Sequence, residues 1–157
     1  MKQVSPTPRT HHIGVQTVDV ANAVSWYRDF FGCEPTWTLE EFSALTRSRL
    51  PGITKLTETV VGDLRFHLFE REDQAPAADP LSPQFQHVCL NVDSAEELRA
   101  WHERWLRVHR ENRHTFLRAE PPTEIVVDAE GTQSFYCLDV NGLEFEFTYL
   151  PGVRSDG

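Results

Sequence analysis

An internal repeat limits what this chain can fold into more than any other feature. HIGVQTVD (12–19) opens one half and HVCLNVD (87–93) opens the other. FHLFE (66–70) ends the first half and FEFTY (145–149) ends the second. A duplicated unit that cannot bury its apolar face alone is expected to fold against its copy. At 157 residues the chain has room for two small units sharing one core.

Each half reads as strand, helix, then about three strands. HHIGVQTV alternates and is β-branched, which predicts a strand over 11–18. Asp19 suits the N-cap of a helix from Val20 to Phe31, with Val20, Ala23, Val24, Tyr27 and Phe31 on one face and Gly32 as its stop. Residues 33–39 read as extended, and 40–52 are ambiguous, with Pro51-Gly52 as a turn. A hairpin is predicted over 54–69 across Gly62-Asp63. Residues 71–84 read as a linker, with first and second units at 10–70 and 85–150. In the second half a strand over 85–92 precedes a helix whose Ser94 and Glu97 have capping-box spacing, running to about His109 with Leu98, Trp101, Trp105 and Val108 on one face. Strands are predicted at 115–118, 124–128, 134–139 and 143–150, the last two joined by the Asn141-Gly142 turn. Residues 1–9 read as a flexible lead-in.

Strand parity sorts the polar residues. Ile13, Val15 and Val18 suit the helix-facing side, leaving His12, Gly14 and Gln16 opposite. Val88, Leu90 and Val92 do the same in the second half, leaving His87, Cys89 and Asn91 opposite. His67 sits between Phe66 and Leu68, and Glu146 between Phe145 and Phe147. A charged group among apolar neighbours is costly without a partner, and a metal ion is one such partner. Two repeats thus each offer a first-strand His and a last-strand His or Glu: His12, His67, His87 and Glu146. Glu70 competes with His67 and Glu144 with Glu146, although Glu70 lies on the opposite face and Glu144 nearer the turn. His11 faces away from His12 by parity, and His102, His109 and His114 read as solvated. Three imidazoles and one carboxylate suit Fe, Zn, Ni, Co or Mn rather than Ca or Mg.

The net charge of −9 argues against nucleic acid and anionic membrane as partners. Cys33, Cys89 and Cys137 are scattered and odd in number, which speaks against a disulfide framework. The polar residues 1–10 do not resemble a secretory signal, and no apolar run reaches membrane-spanning length. A reducing cytoplasm is the simplest expected address.

These residues also carry a family resemblance, extending from Thr10 to Leu150. HHIGVQTVDVANAVSWYRDFFG, FQHVCLNVD and DVNGLEFEF, in that order, resemble the module signatures of the vicinal oxygen chelate superfamily of glyoxalases, bleomycin resistance proteins and extradiol dioxygenases. Val140 and Leu143 depart from its closing pattern. The resemblance implies an α+β fold of two βαβββ modules, a cupped mixed sheet with helices on the outer face, and often a homodimer. It carries metal ligation onto His12, His67, His87 and Glu146. Drug-binding members commonly lack such ligands, so their presence favours an enzyme. His67 stands where glyoxalase I-like members usually have Glu or Gln, which leaves Glu146 as the one carboxylate among the ligands and the candidate catalytic base.

Three activities follow as expectations. The first is a metal-dependent isomerase, epimerase or lyase acting on a small oxygen-chelating substrate through a metal-stabilised enolate. The second is an Fe(II) dioxygenase using His12, His87 and Glu146 as a facial triad. The third is a small-molecule binding or resistance protein without chemistry, in which Trp37 or Tyr136 stacks a planar ligand. Gln16, Arg65, Cys89, Asn91 and Tyr136 are the expected substrate contacts, and Glu58 is a weaker candidate base.

Overall fold

The computed structural model describes residues 8–73 and 79–152. Most of the expected lead-in, and residues 74–78 of the expected linker, lie outside these. The order is β1 (Ile13–Thr17), α1 (Val20–Phe31), β2 (Glu34–Leu39), α2 (Ala44–Arg49), β3 (Ile53–Val61), β4 (Leu64–Arg71), β5 (His87–Val92), α3 (Ala95–Arg110), β6 (Val126–Val127), β7 (Gln133–Leu138) and β8 (Glu144–Tyr149). The strands form two four-stranded mixed sheets of matching topology, β1-β4-β3-β2 and β5-β8-β7-β6. In each, the first strand runs parallel to the last and the others pair antiparallel.

The helix ends follow from their caps. Asp19 accepts from the Asn22 N–H, and Gly32 closes α1 at φ 80°, a left-handed conformation that glycine adopts without a Cβ penalty. Ser94 accepts from the Glu97 N–H, while the Glu97 carboxylate reaches back to the Asp93 N–H. Both helices lay an apolar stripe on their own sheet: Val20, Ala23, Trp26, Tyr27, Phe30 and Phe31 from α1, and Leu98, Trp105 and Val108 from α3 are buried.

One aromatic core joins the halves. Tyr27 meets Phe66 of its own sheet at 4.9 Å between ring centroids, and Phe31 meets Phe145 of the other at 5.2 Å. Phe30 meets Trp101 at 5.4 Å, and Trp101 stacks on Phe147 at 5.0 Å. The Tyr27 hydroxyl donates to Asp139, at 3.0 Å, across the same boundary. Asp139 is fully buried, yet it also accepts from the backbone N–H groups of Asn141 and Leu143 and so organises the β7–β8 turn.

Several sequence expectations change. Val18 is 37% exposed and Thr17 takes the inward place, because strict alternation from Val15 reaches 17 and not 18. Thr17 satisfies its hydroxyl on Asn141 at 2.6 Å. Residues 115–118 make no strand, although the Leu117 N–H still reaches the Val140 carbonyl. The ambiguous 40–52 segment contains the short exposed helix α2, capped by Ser43. Of His102, His109 and His114, His114 is buried and the other two are partly exposed, each with a partner. His114 is buried on Asp29 at 2.8 Å, His109 stacks on Trp105, and His102 donates to the Thr123 carbonyl.

Candidate functional site

The strand register places the candidate donors on equivalent rows of the two sheets. Across the first sheet Gly14, His67, Glu58 and Trp37 stand side by side. Across the second the row is Cys89, Glu146 and Tyr136. His12 lies two residues before Gly14, and His87 two residues before Cys89. Phe66 and Leu68, and likewise Phe145 and Phe147, bury on the opposite side, and their burial turns His67 and Glu146 away from the core.

In the first row Glu58 is buried and fully engaged. Its carboxylate accepts from Thr36 at 2.6 Å, Arg65 at 2.7 Å and His67 Nε2 at 2.8 Å. Burial would raise this carboxyl. The hydrogen bonds from Thr36, Arg65 and His67, with the Arg65 charge, overturn that and hold it at about 2. An ionised Glu58 makes Nε2 of His67 a donor, so Nδ1 is left with the lone pair. The His12 ring stacks on His67 at 3.7 Å with a 9° tilt, and Trp37 stands edge-on to His67 at 5.0 Å. Burial, and then the neighbouring His67 and His11, hold His12 below the ordinary imidazole value, which keeps it neutral and able to ligate near pH 7.

In the second row His87 Nε2 lies 3.0 Å from Glu146 Oε2. The Tyr136 ring meets His87 edge-on at 5.6 Å. Desolvation and the Glu146 carboxylate raise the Tyr136 phenol, so its hydroxyl stays protonated. The same two causes push the Cys89 thiol up to about 11, so Cys89 is a neutral neighbour and not a thiolate nucleophile. Gln86 contacts the other nitrogen of His87, and its amide donates to Glu144 at 2.9 Å.

A cavity of ≈ 480 Å³ opens between the β1 and β5 edges, lined by His12 and His87 together with Gly14, Val88, Gln86 and Glu144. The four expected ligands stand as two pairs, His12 with His67 and His87 with Glu146, and one residue of each pair, His12 and His87, lines this cavity. They do not form one group with all donors within 4.8 Å of one another. Among the described residues His11, His12 and His67 do. Three imidazoles and a carboxylate are donor types that suit a divalent ion of the Fe-to-Zn series.

The competing carboxylates have other work. Glu70 accepts from the Val20 N–H at 2.8 Å and so steadies the start of α1. Glu144 stands 3.9 Å from His87 Nδ1 at the cavity rim. Of the expected substrate contacts, Cys89 and Tyr136 flank Glu146, and Arg65 is tied to Glu58. Gln16 accepts from Arg71 at 3.3 Å. Asn91 lines a separate cavity of ≈ 210 Å³ with Trp101 and Phe147. Parity missed His11, which lies 2.9 Å from His12, Nδ1 to Nδ1. Both residues precede Ile13, the first laddered position, so alternation does not govern them. The His-His doublet was the available signal.

Residues 9–147 match the sequence model of the Glyoxalase/Bleomycin resistance protein/Dioxygenase superfamily. The chain is similar to the crystal structure of a glyoxylase/bleomycin resistance protein/dioxygenase domain from Frankia sp. EAN1pec, with 12% identity, 95% of this chain and 96% of that one covered, and a TM-score of 0.73. It is similar to lactoylglutathione lyase from Agrobacterium tumefaciens, with 21% identity, coverage of 92% and 96%, and a TM-score of 0.59. It is also similar to the fosfomycin resistance protein FosX from Listeria monocytogenes complexed with Mn(II) and sulfate, with 14% identity, coverage of 94% and 93%, and a TM-score of 0.55. At these identities the likeness is one of fold. No curated protein matches the sequence.

Proposed function

The chain belongs to the Glyoxalase/Bleomycin resistance protein/Dioxygenase superfamily, and from that premise we propose that it is a metal-dependent isomerase, epimerase or lyase for a small substrate presenting two neighbouring oxygens. The observation that carries this reading is the repeat-equivalent pairing of His12 with His67 and His87 with Glu146, with His12 and His87 lining one cavity. These four residues would hold a divalent ion of the Fe, Zn, Ni, Co or Mn class. When bound, such an ion supplies Lewis-acid polarisation of the substrate oxygens.

The residues themselves divide the remaining work. Glu146 takes the proton from the carbon next to the substrate carbonyl. His87 orients it at 3.0 Å, and the protonated Tyr136 hydroxyl stands ready to donate to a substrate oxygen. Glu58 is a poor base, because its conjugate acid is too strong at about 2. It positions His67 instead.

A dioxygenase reading rests on His12, His87 and Glu146 as a two-histidine, one-carboxylate set beside the same cavity. A binding protein without chemistry would use the cavity alone. The small-molecule substrate, the homodimer, the division at 71–84 and a reducing cytoplasmic address belong to the same proposal, the last fitting three free cysteines. No helix among the described residues is long and apolar enough to cross a membrane.

Metal analysis of the purified protein, with NMR detection of solvent deuterium entering candidate α-hydroxy and α-oxo carbonyl compounds, tests the reading. Exchange that Glu146→Gln lowers by about 10²-fold or more is expected. Stoichiometric iron with substrate-dependent oxygen uptake favours the dioxygenase. Tight organic binding without metal favours the binding protein.

A further inference from the structure

The segment leading into β1 carries two adjacent histidines, and both rings turn toward β4. His11 and His12 stand at 88° to one another with centroids 5.2 Å apart, and His11 meets His67 at 6.1 Å. We propose that His11 is a metal ligand together with His12 and His67, so that the first half alone carries a three-imidazole site for a divalent transition-metal ion. The proposal deepens the metal-centre reading above and rests on it for an ion at this cavity.

Three observations support it. One donor atom from each of these residues lies within 4.8 Å of the others, a convergence that His87 and Glu146 do not join. The Nδ1 atoms of His11 and His12 are 2.9 Å apart. Two imidazole nitrogens each about 2.05 Å from one ion, in adjacent octahedral positions, stand about 2.9 Å apart, so an ion can replace the proton the two rings now share. Finally, Glu58 holds His67 by Nε2 and turns its other nitrogen free, in the manner of an outer carboxylate that orients a ligating histidine. His11 and His12 are exposed, so an ion reaches them without opening the core. A set of three imidazole donors selects Zn, Co, Ni or Cu over Ca or Mg.

The site also assigns a division of labour. The first half would capture the ion, and the His87–Glu146 pair would complete its shell from the other sheet. His11 would then add to affinity while Glu146 decides reactivity.

Co(II) titration of the intact chain, followed by its visible absorption, and Zn(II) competition with a chromophoric chelator test this. His11→Ala is expected to weaken Co(II) and Zn(II) about tenfold or more and to change the Co(II) spectrum, with unchanged far-UV circular dichroism. His87→Ala is expected to keep a residual Co(II) site with altered absorption. If His11→Ala matches the parent in affinity and spectrum while His87→Ala loses the metal, the role of His11 is refuted and the four-ligand reading stands. If His11→Ala loses the metal and His87→Ala keeps the parent's affinity and spectrum, the three-imidazole site stands and the four-ligand reading falls. If neither variant changes binding, both fall.

Discussion

The two halves carry the same row of positions with opposite chemistry. In the first, an imidazole on the central strand is braced by a buried carboxylate on the next strand, His67 on Glu58. In the second, the carboxylate holds the central place, and Glu146 is flanked by the protonated Tyr136 and Cys89. A braced imidazole is a fixed donor. A carboxylate beside neutral hydroxyl and thiol groups is one that a proton can reach. The two sheets share one topology, and the different residues in the row give one frame a positioning task and the other a chemical one.

The largest expected effect separates the frames by metal. His87→Ala should lose most bound ion, by more than the roughly 10–100-fold that removing an outer partner costs, while circular dichroism stays that of the parent. Elemental analysis after gel filtration checks it, and full retention would break the pairing of the two rows.

The turns differ as sharply. Asp139→Ala removes the acceptor for Tyr27 and two backbone N–H groups, and should cost about 3 kcal/mol or more in urea unfolding. Asp63→Ala, in the equivalent exposed turn of the first half, should stay within about 0.5 kcal/mol. Equal losses would mean that the halves share their turn energetics.

Acid sharpens the contrast, because the two buried carboxylates shift in opposite directions. Glu58 sits at about 2 in the fold against 4.5 ordinarily. Its contribution, on the order of 3 kcal/mol, is present above about pH 5 and disappears as pH falls toward 2. Asp139 is raised by burial, against the pull of its hydrogen bonds, so its ionisation costs stability as pH rises through the raised value. Denaturant melts of the parent and Glu58→Gln should therefore differ most near pH 7 and converge near pH 2. A gap that does not change with pH would show that Glu58 is not held ionised.

Glu58→Gln should also weaken metal affinity by roughly 10-fold, through looser orientation of His67, without removing a ligand. Calorimetry with Zn(II) reads this. A small effect is expected at His109→Ala, which loses its stacking on Trp105, about 1 kcal/mol, with metal content unchanged.

Much of the frame was legible. Asp19, Gly32 and the Ser94–Glu97 spacing marked helix ends because caps act over three or four residues of contiguous chain. Alternation around His67 and Glu146 marked them as facing away from the core, since flanking Phe and Leu side chains must bury. Parity stopped working where no ladder enforces it, at His11. It also failed for the charged α3 and the loop beyond it, where polar composition concealed His114 in a pocket made by Asp29 of α1.

The sequence by itself determined the repeat, the order of most elements and the side of the strand taken by the donors inside the ladders, all consequences of local sterics and of apolar patterning. Tertiary structure alone decided which donors meet. Glu58 became an ionised brace because Thr36, Arg65 and His67 arrive from neighbouring strands, and Asp139 became a buried keystone because Tyr27 crosses from the other half. Such roles depend on partners distant in the chain, whose proximity, desolvation and orientation exist only once the two sheets have packed.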